Sequence, residues 1–214
     1  MNIGRFARWY RPVEYAAFGR ALEHQRFAFL PQLACARRVL ILGEGDGRTL
    51  ARLLDLAPAA HFDVVEVSAE MIALAKERVR DSARVTFHCQ DARTIAWPVA
   101  HYDGIVTHFF LDCFHEEEAH NLIGHLTASL TPHGHLLIAE FSIPDNGWRR
   151  LHAKLWIGLM YRFFGIATGL RTTSLPPIGQ LMRASGMRCI VREERRAGLI
   201  TSEVWRHAVV ARRQ

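Results

Sequence analysis

At 214 residues, half of them apolar and 22% charged, the chain has the make-up of one globular domain with a sizeable core, which excludes a disordered or fibrous protein. Its net charge of +6 is lopsided, because from Trp148 onward thirteen Arg or Lys stand against three carboxylates. A basic last third could meet an anionic substrate, a membrane surface or nucleic acid, and equally could be a solubilising surface.

The opening MNIGRFARWYRPVEY has charges where a signal peptide needs an apolar run, which argues for a cytoplasmic protein. Cys35, Cys89, Cys113 and Cys189 are far apart and form no CxxC pair, so they read as reduced core thiols and suggest neither a disulfide framework nor a metal site. The longest apolar stretch, 155–170, is too short for a membrane span and contains Arg162.

Residues 12–30 are rich in helix formers and lack strand alternation, which predicts one or two helices ahead of a sheet. Strands and helices then alternate. RVLIL (38–42) predicts a first strand, followed by the helix GRTLARLLDLA. HFDVVEV (61–67) predicts a second strand, and Ser68 can cap the helix SAEMIALAKERV, with Met71 beside its apolar face. RVTFHC (84–89) and YDGIVT (102–107) give a third and fourth strand. A helix over about 116–129 leads to a turn, TPHGH, and a fifth strand, LLIAEF. A helix over 176–185 and two strand-like runs, 187–192 and 203–211, end the chain.

Nearly continuous apolar strands alternating with helices indicate a parallel sheet covered on both faces. The expected fold is therefore α/β: a doubly wound, seven-stranded, mostly parallel sheet with an antiparallel C-terminal hairpin, an N-terminal helical extension and a helical insert after the fifth strand. With no linker or repeat, 1–214 reads as one domain: a helical cap (1–36), a ligand-binding core (37–145), a helical lid insert (146–175), and a C-terminal helix and hairpin (176–214).

The segment that carries chemistry is LGEGDGR, in which a strand runs into Gly43, Gly45 and Gly47 and then into a helix. Glycines there permit a tight turn and a close approach of backbone to ligand. A dinucleotide turn needs its third glycine at position 48, which is Arg48; the GxGxG spacing instead favours a nucleoside lying along the loop. Glu66 closes the second strand nineteen residues after Gly47, where an acid can accept hydrogen bonds from both ribose hydroxyls. Asp91 follows the third strand, where a carboxylate can accept from an adenine amino group. Either acid alone is most simply a solvated loop carboxylate. Three such features in order, each at the carboxyl end of a strand, point to one ligand edge.

Over roughly 38–141 the chain resembles the class I, Rossmann-like S-adenosylmethionine-dependent methyltransferases. LGEGDG is similar to that family's first motif, VVEVSAEM to an acid-x-Ser-x-x-Met form of the second, QDA to its adenine loop, YDGIVTHFFLD to its fourth motif, and LTPHGHLLIAEF to the segment along its fifth strand. The resemblance implies S-adenosyl-L-methionine as cofactor and S-adenosyl-L-homocysteine as product. It implies that Gly43, Gly45 and Gly47 line the methionine and ribose portion, that Glu66 with Val67 meets the ribose, that Met71 packs near the adenine, that Asp91 with Ala92 meets its amino group, and that Thr107 and His108 face the methionine end. One position departs from the pattern: where the family often has an acid two residues before the first glycine, this chain has Ile41, and Glu44 is the candidate to supply that charge.

Methyl transfer from a sulfonium needs positioning above all, and a general base only if the acceptor must lose a proton. The candidates after the fourth strand are His108 first, then Asp112 and His115. Phe109 and Phe110 stand where nucleobase amino methylases carry an Asn/Asp-Pro-Pro-Tyr/Phe pattern, which argues against such an acceptor. The insert 148–170 mixes Trp148, Trp156, Tyr161, Phe163 and Phe164 with Arg149, Arg150, Lys154 and Arg162. It could wall an apolar acceptor pocket, rest on a membrane surface, or simply pack on the core or on a subunit partner. The favoured expectation is a small, largely apolar acceptor such as a quinone-like ring, phenol, thiol or lipid precursor, with no metal. The alternatives are an RNA or protein methyltransferase (nucleic acid disfavoured for want of an extra binding domain), an aminopropyltransferase, and a non-catalytic cofactor-binding scaffold. Oligomeric state is not legible.

Overall fold

The computed structural model describes residues 19–80, 82–144, 147–148, 150–151, 157 and 175–208. Seven strands form one sheet: β1 (Arg38–Leu42), β2 (His61–Glu66), β3 (Val85–Cys89), β4 (Tyr102–His108), β5 (Leu130–Phe141), β6 (Met187–Arg195) and β7 (Ile200–His207). Their order is β3-β2-β1-β4-β5-β7-β6, with the first five parallel and β7 antiparallel to both β5 and β6. The helices are α1 (Ala21–Phe27), α2 (Arg48–Leu56), α3 (Ala69–Val79), α4 (Glu116–Ser129) and α5 (Ile178–Ala184).

Alternation along the strands divides the core. On β1, Leu40 and Leu42 face Leu122, Ile123 and Leu126 of α4 and Leu181 and Met182 of α5, while Val39 and Ile41 join Leu30, Leu33 and Leu50 and Leu53 of α2 on the other side. Both faces of the central strands are thus buried, which is why RVLIL reads as an unbroken apolar run. Ser68 caps α3 as its sequence suggests, with Ser68 Oγ accepting from the Met71 amide at 3.3 Å.

Three expectations need correction. The run TPHGH is not a separate turn but the start of β5. Leu130 lies opposite Tyr102 and His135 opposite Gly104, so residues 131–134 bulge against Asp103 alone. Pro132, which has no amide hydrogen to give, sits in that bulge, a position where a strand tolerates it. The last strand begins at Ile200, not at 203, and β6 runs on to Arg195. Finally, all four cysteines are exposed, not core, and none is in a disulfide. Cys89 and Cys189 lie on β3 and β6, the edge strands of the sheet among the described residues.

The expected lid, 146–175, lies largely outside the described residues, and with it the membrane-surface reading. Of its described positions, Trp148 and Leu151 are exposed and Ile157 is buried. Residues 1–18 of the helical cap lie outside too. No described helix is long and apolar enough to cross a membrane.

Candidate functional site

The chain turns from one half of the sheet to the other between β1 and β4, where Leu42 pairs with Thr107. A crevice opens at the carboxyl ends of strands at such a switch point. Gly43, Gly45 and Gly47 follow β1 with φ of +64°, +68° and +85°, and Gly47 is the N-cap of α2. The three differ in what surrounds them. A Cβ on Gly47 would stand 2.7 Å from Ala75 Cα, so this glycine lets α3 pack on the loop; one on Gly43 would strike the Phe110 ring; one on Gly45 would meet nothing within 4 Å. Gly45 therefore offers the open backbone surface of the loop.

Glu66 fastens that surface to β2. Its Oε2 accepts from the Gly45 amide at 3.2 Å and its Oε1 from the Ser68 amide at 3.0 Å. Burial raises its pKa against the pull of those amides. Asp46 is held by Arg48 and by Arg78, each at 2.9 Å, and Arg78 also donates to the Asp46 carbonyl at 2.7 Å. The loop is preorganised by contacts from three elements.

Glu44 points inward. Its Oε1 accepts from the Leu50 amide at 3.0 Å, at the start of α2, and burial pushes its pKa up to about 8. A carboxyl held largely neutral at pH 7 supplies little of the negative charge expected of it. Asp91 is drawn into its own turn: it accepts from the Arg93 amide at 2.9 Å and pairs with the Arg93 guanidinium, which also reaches Glu118. That cation holds the Asp91 pKa below the usual range. Met71 and Ala92 are buried beside the Glu66 and Asp91 turns respectively, and Val67 is exposed.

At the end of β4 the three base candidates sit in different surroundings. His108 is buried and its pKa is lowered to about 3, first by desolvation and then by the Arg26 charge. Such a site resists an imidazolium, so His108 is suited to accept a hydrogen bond and poorly suited to hold a proton. His115 is the exposed N-cap of α4, tied to Glu118 in a capping box. Asp112 is buried beside Glu140, the acid at the end of β5, and burial raises both pKa values. Glu140 Oε1 accepts from the Phe110 and Leu111 amides at 3.1 and 2.8 Å. Two carboxyls this close and this dry hold one proton between them.

Sequence reasoning missed Arg26 and Glu140. Glu140 had a signal, an acid inside an apolar strand; Arg26 had none, being one arginine of an amphipathic helix. Arg26 is buried, with its guanidinium carbon 5.0 Å above the Phe109 ring. Phe109 itself has φ +53°, a strained conformation for a side chain of this size, and its ring packs 5.1 Å from Phe141. Around them Leu22, Ile157, Leu199 and Ile200 form a third apolar cluster at this end of the sheet. Glu44 Oε2 in the loop, and Thr107 Oγ1 and His108 Nδ1 at successive positions of β4, are among the buried side-chain atoms without a hydrogen-bond partner. Native interiors rarely leave such atoms unpaired away from a ligand site. Among the described residues no group of His, Cys, Asp or Glu could hold a metal ion.

Residues 39–134 match the family described as a methyltransferase domain. Ubiquinone/menaquinone biosynthesis C-methyltransferase UbiE of Pseudomonas savastanoi pv. phaseolicola is 28% identical over 154 residues, 69% of this chain and 58% of that protein. The Pseudomonas putida protein of the same name is 27% identical over 148 residues, 67% of this chain and 56% of its own. The chain thus spans a little over half the length of these curated relatives. Among solved structures, the Burkholderia thailandensis 1,6-didemethyltoxoflavin-N1-methyltransferase, with 1,6-didemethyltoxoflavin and S-adenosylhomocysteine bound, superposes with a TM-score of 0.68 at 18% identity, covering 95% of this chain and 84% of its own. N-methyltransferase NodS from Bradyrhizobium japonicum, with S-adenosylhomocysteine, gives 0.64 at 17%, covering 87% and 88%. The [4+2]-cyclase SpnF gives 0.62 at 18%, covering 84% and 80%, so the fold by itself does not name a reaction. In its glycine turn, acid-braced loop and strand order the chain has the Rossmann-like α/β fold of these solved methyltransferases, and its residues 39–134 are similar to a methyltransferase domain.

Proposed function

We propose that the protein moves a methyl group from S-adenosylmethionine to a small, largely apolar acceptor, a quinone-like or phenolic ring being the favoured class. The observation that carries the acceptor reading is the third apolar cluster, with Phe109 and Phe141, which the chain enters at the residue following the buried His108. An apolar wall with few polar groups suits a ring and suits RNA or a charged peptide poorly. The curated relatives' names, which specify quinone C-methylation, support the same class.

When bound, the cofactor supplies a sulfonium-activated methyl for in-line displacement. The open backbone at Gly45 would receive its nucleoside. Glu66, which spends one lone pair of each oxygen on amides, keeps others for ribose hydroxyls. Asp91 and Met71 would flank the adenine, and Thr107 and His108 would meet the amino-acid end through their unpaired polar atoms. A general base, where the acceptor has a proton to lose, is better assigned to the Asp112–Glu140 pair than to His108, because buried carboxyls with raised pKa can take a proton near neutral pH and a site that repels the imidazolium cannot.

The test is a screen of hydroquinones, phenols and thiols against the full chain with S-adenosylmethionine, read as S-adenosylhomocysteine formed. Turnover with a ring acceptor supports the reading; turnover confined to RNA or protein substrates refutes it. Tight cofactor binding with no turnover on any class would favour a non-catalytic scaffold.

A further inference from the structure

Asp91 is held in place by its own turn and by one neighbouring side chain. It caps the turn Ala92–Thr94, where its Oδ1 accepts from the Arg93 amide at 2.9 Å. The Arg93 guanidinium then grips both carboxylate oxygens, with Nε 3.0 Å from Oδ1 and 3.1 Å from Oδ2, and with Nη2 bonded to Oδ2. Arg93 is itself anchored away from that turn. Its Nη1 donates to Glu118 Oε1 of α4 at 2.6 Å, and its guanidinium carbon stands 5.8 Å from the centre of the Phe114 ring. Glu118 is fixed in turn, because its Oε2 accepts from the His115 amide at 3.2 Å at the start of α4. One cation thus ties the acid after β3 to the helix after β4.

Isolated ion pairs on a surface contribute little, but a planar two-point grip within a network of charges is the exception. Such a grip brings guanidinium and carboxylate towards one plane and so fixes the rotation of the Asp91 carboxylate. The turn amide alone holds one oxygen and leaves that rotation free. Occupancy points the same way. The Arg93 amide, Nε and Nη2 are three N–H donors. A carboxylate offers about four acceptor positions, which leaves about one. The Asp91 side chain also keeps 32% of its surface open. A carboxylate with a fixed plane, one spare acceptor position and an open side is suited to meet a single N–H donor from a ligand.

We propose that Arg93 is a positioning residue for cofactor recognition, holding Asp91 so that its spare acceptor position meets the adenine amino group and selects adenine over a 6-oxo purine. The assignment rests on the cofactor reading, in which Asp91 flanks the adenine. It makes the choice of base depend on a residue that acts through another.

Calorimetry on the full chain with S-adenosylhomocysteine and S-inosylhomocysteine isolates this effect, because the two differ only along the purine edge that carries the 6-substituent. The wild type should prefer the adenine compound by about tenfold or more, the scale of a hydrogen bond to a charged group. Arg93→Met removes the grip, and the preference should shrink to about threefold or less, the scale of a weak, mobile contact. Arg93→Lys, with a compact charge in place of the planar fork, should fall between the two. If Arg93 served structure alone, its loss would weaken both compounds together and leave their ratio intact. That outcome overturns the proposal, as does an enlarged preference in the folded Met variant. Should Arg93→Met fail to fold, as judged by circular dichroism, Arg93→Lys carries the test by the same ratio. A wild type that binds both compounds equally overturns the proposal at the assignment of Asp91 to adenine. One that binds neither overturns it at the cofactor reading itself.

Discussion

Glu66 and Gly45 are joined across twenty-one positions of sequence by a hydrogen bond of 3.2 Å, from the loop amide to the carboxylate at the end of β2. The residue that would bind the ribose therefore also holds the surface on which the ribose would lie. Glu66→Gln puts an amide where Oε1 or Oε2 now accepts, so one loop contact is lost along with the charge. S-Adenosylhomocysteine affinity should fall by about ten- to a hundredfold in calorimetry, the range for a hydrogen bond to a charged group. Unchanged affinity would mean that Glu66 is a brace only.

Gly47 and Gly45 should separate under the same substitution. Gly47→Ala places a Cβ against the backbone of Ala75 in addition to the left-handed strain, and should lower stability by roughly 3 kcal/mol or more in denaturant melts. Gly45→Ala carries only the conformational cost, about 1–2 kcal/mol, because its Cβ meets open space. It should instead weaken cofactor binding disproportionately.

Glu44 should make the fold more stable in mild acid than in mild alkali. Its folded pKa of about 8 lies above the ordinary value of 4.5, so the folded chain binds more protons between those limits, and stability declines as pH rises from 4.5 through 8. Glu44→Gln can keep the acceptor for the Leu50 amide and removes the titration. The variant should gain on the order of a few kcal/mol at pH 9 relative to wild type and show a flatter profile, as measured by denaturation at several pH values.

His108 and Asp112 make opposite predictions for the rate. With its pKa near 3, His108 stays neutral across the working range, so His108→Asn should lower turnover without moving the acid limb of the pH profile. Asp112, raised by burial next to Glu140, should give a limb above the ordinary carboxylate range, with rate rising as pH rises through it, and Asp112→Asn should erase that limb. An acid limb that persists in Asp112→Asn and vanishes in His108→Asn would reverse the assignment.

The parts of the molecule legible in sequence are those governed by neighbours a few residues apart. RVLIL followed by three glycines reads as strand, turn and helix because periodicity and backbone freedom are local properties, and the Ser68 cap reads for the same reason. The bulge at 131–134 was hidden because Pro132 and Gly134 signal a turn equally well; only the fold shows that the strand continues, with the Leu130 side chain and the Asp103 carbonyl both crowding the place a Gly134 Cβ would take. The state of His108 and of Glu44 was hidden because burial is assigned by elements distant in sequence, α1 among them. Arg26 could not be singled out until the fold brought it within reach of Phe109, eighty-three positions away.

The place of β7 has a consequence for how the protein comes into being. This strand, the last of the seven in chain order, is the one that wedges between β5 and β6, pairing Phe141 with Ile200 and Glu140 with Thr201. Until it is in place, the acid beneath the Phe109–Leu111 turn rests on a bare sheet margin and α1 has no Ser202 to dock on. The glycine loop needs only β1, β2 and their helices, whereas the side of the sheet built on Glu140, Phe141 and α1 is complete only once β7 is in place.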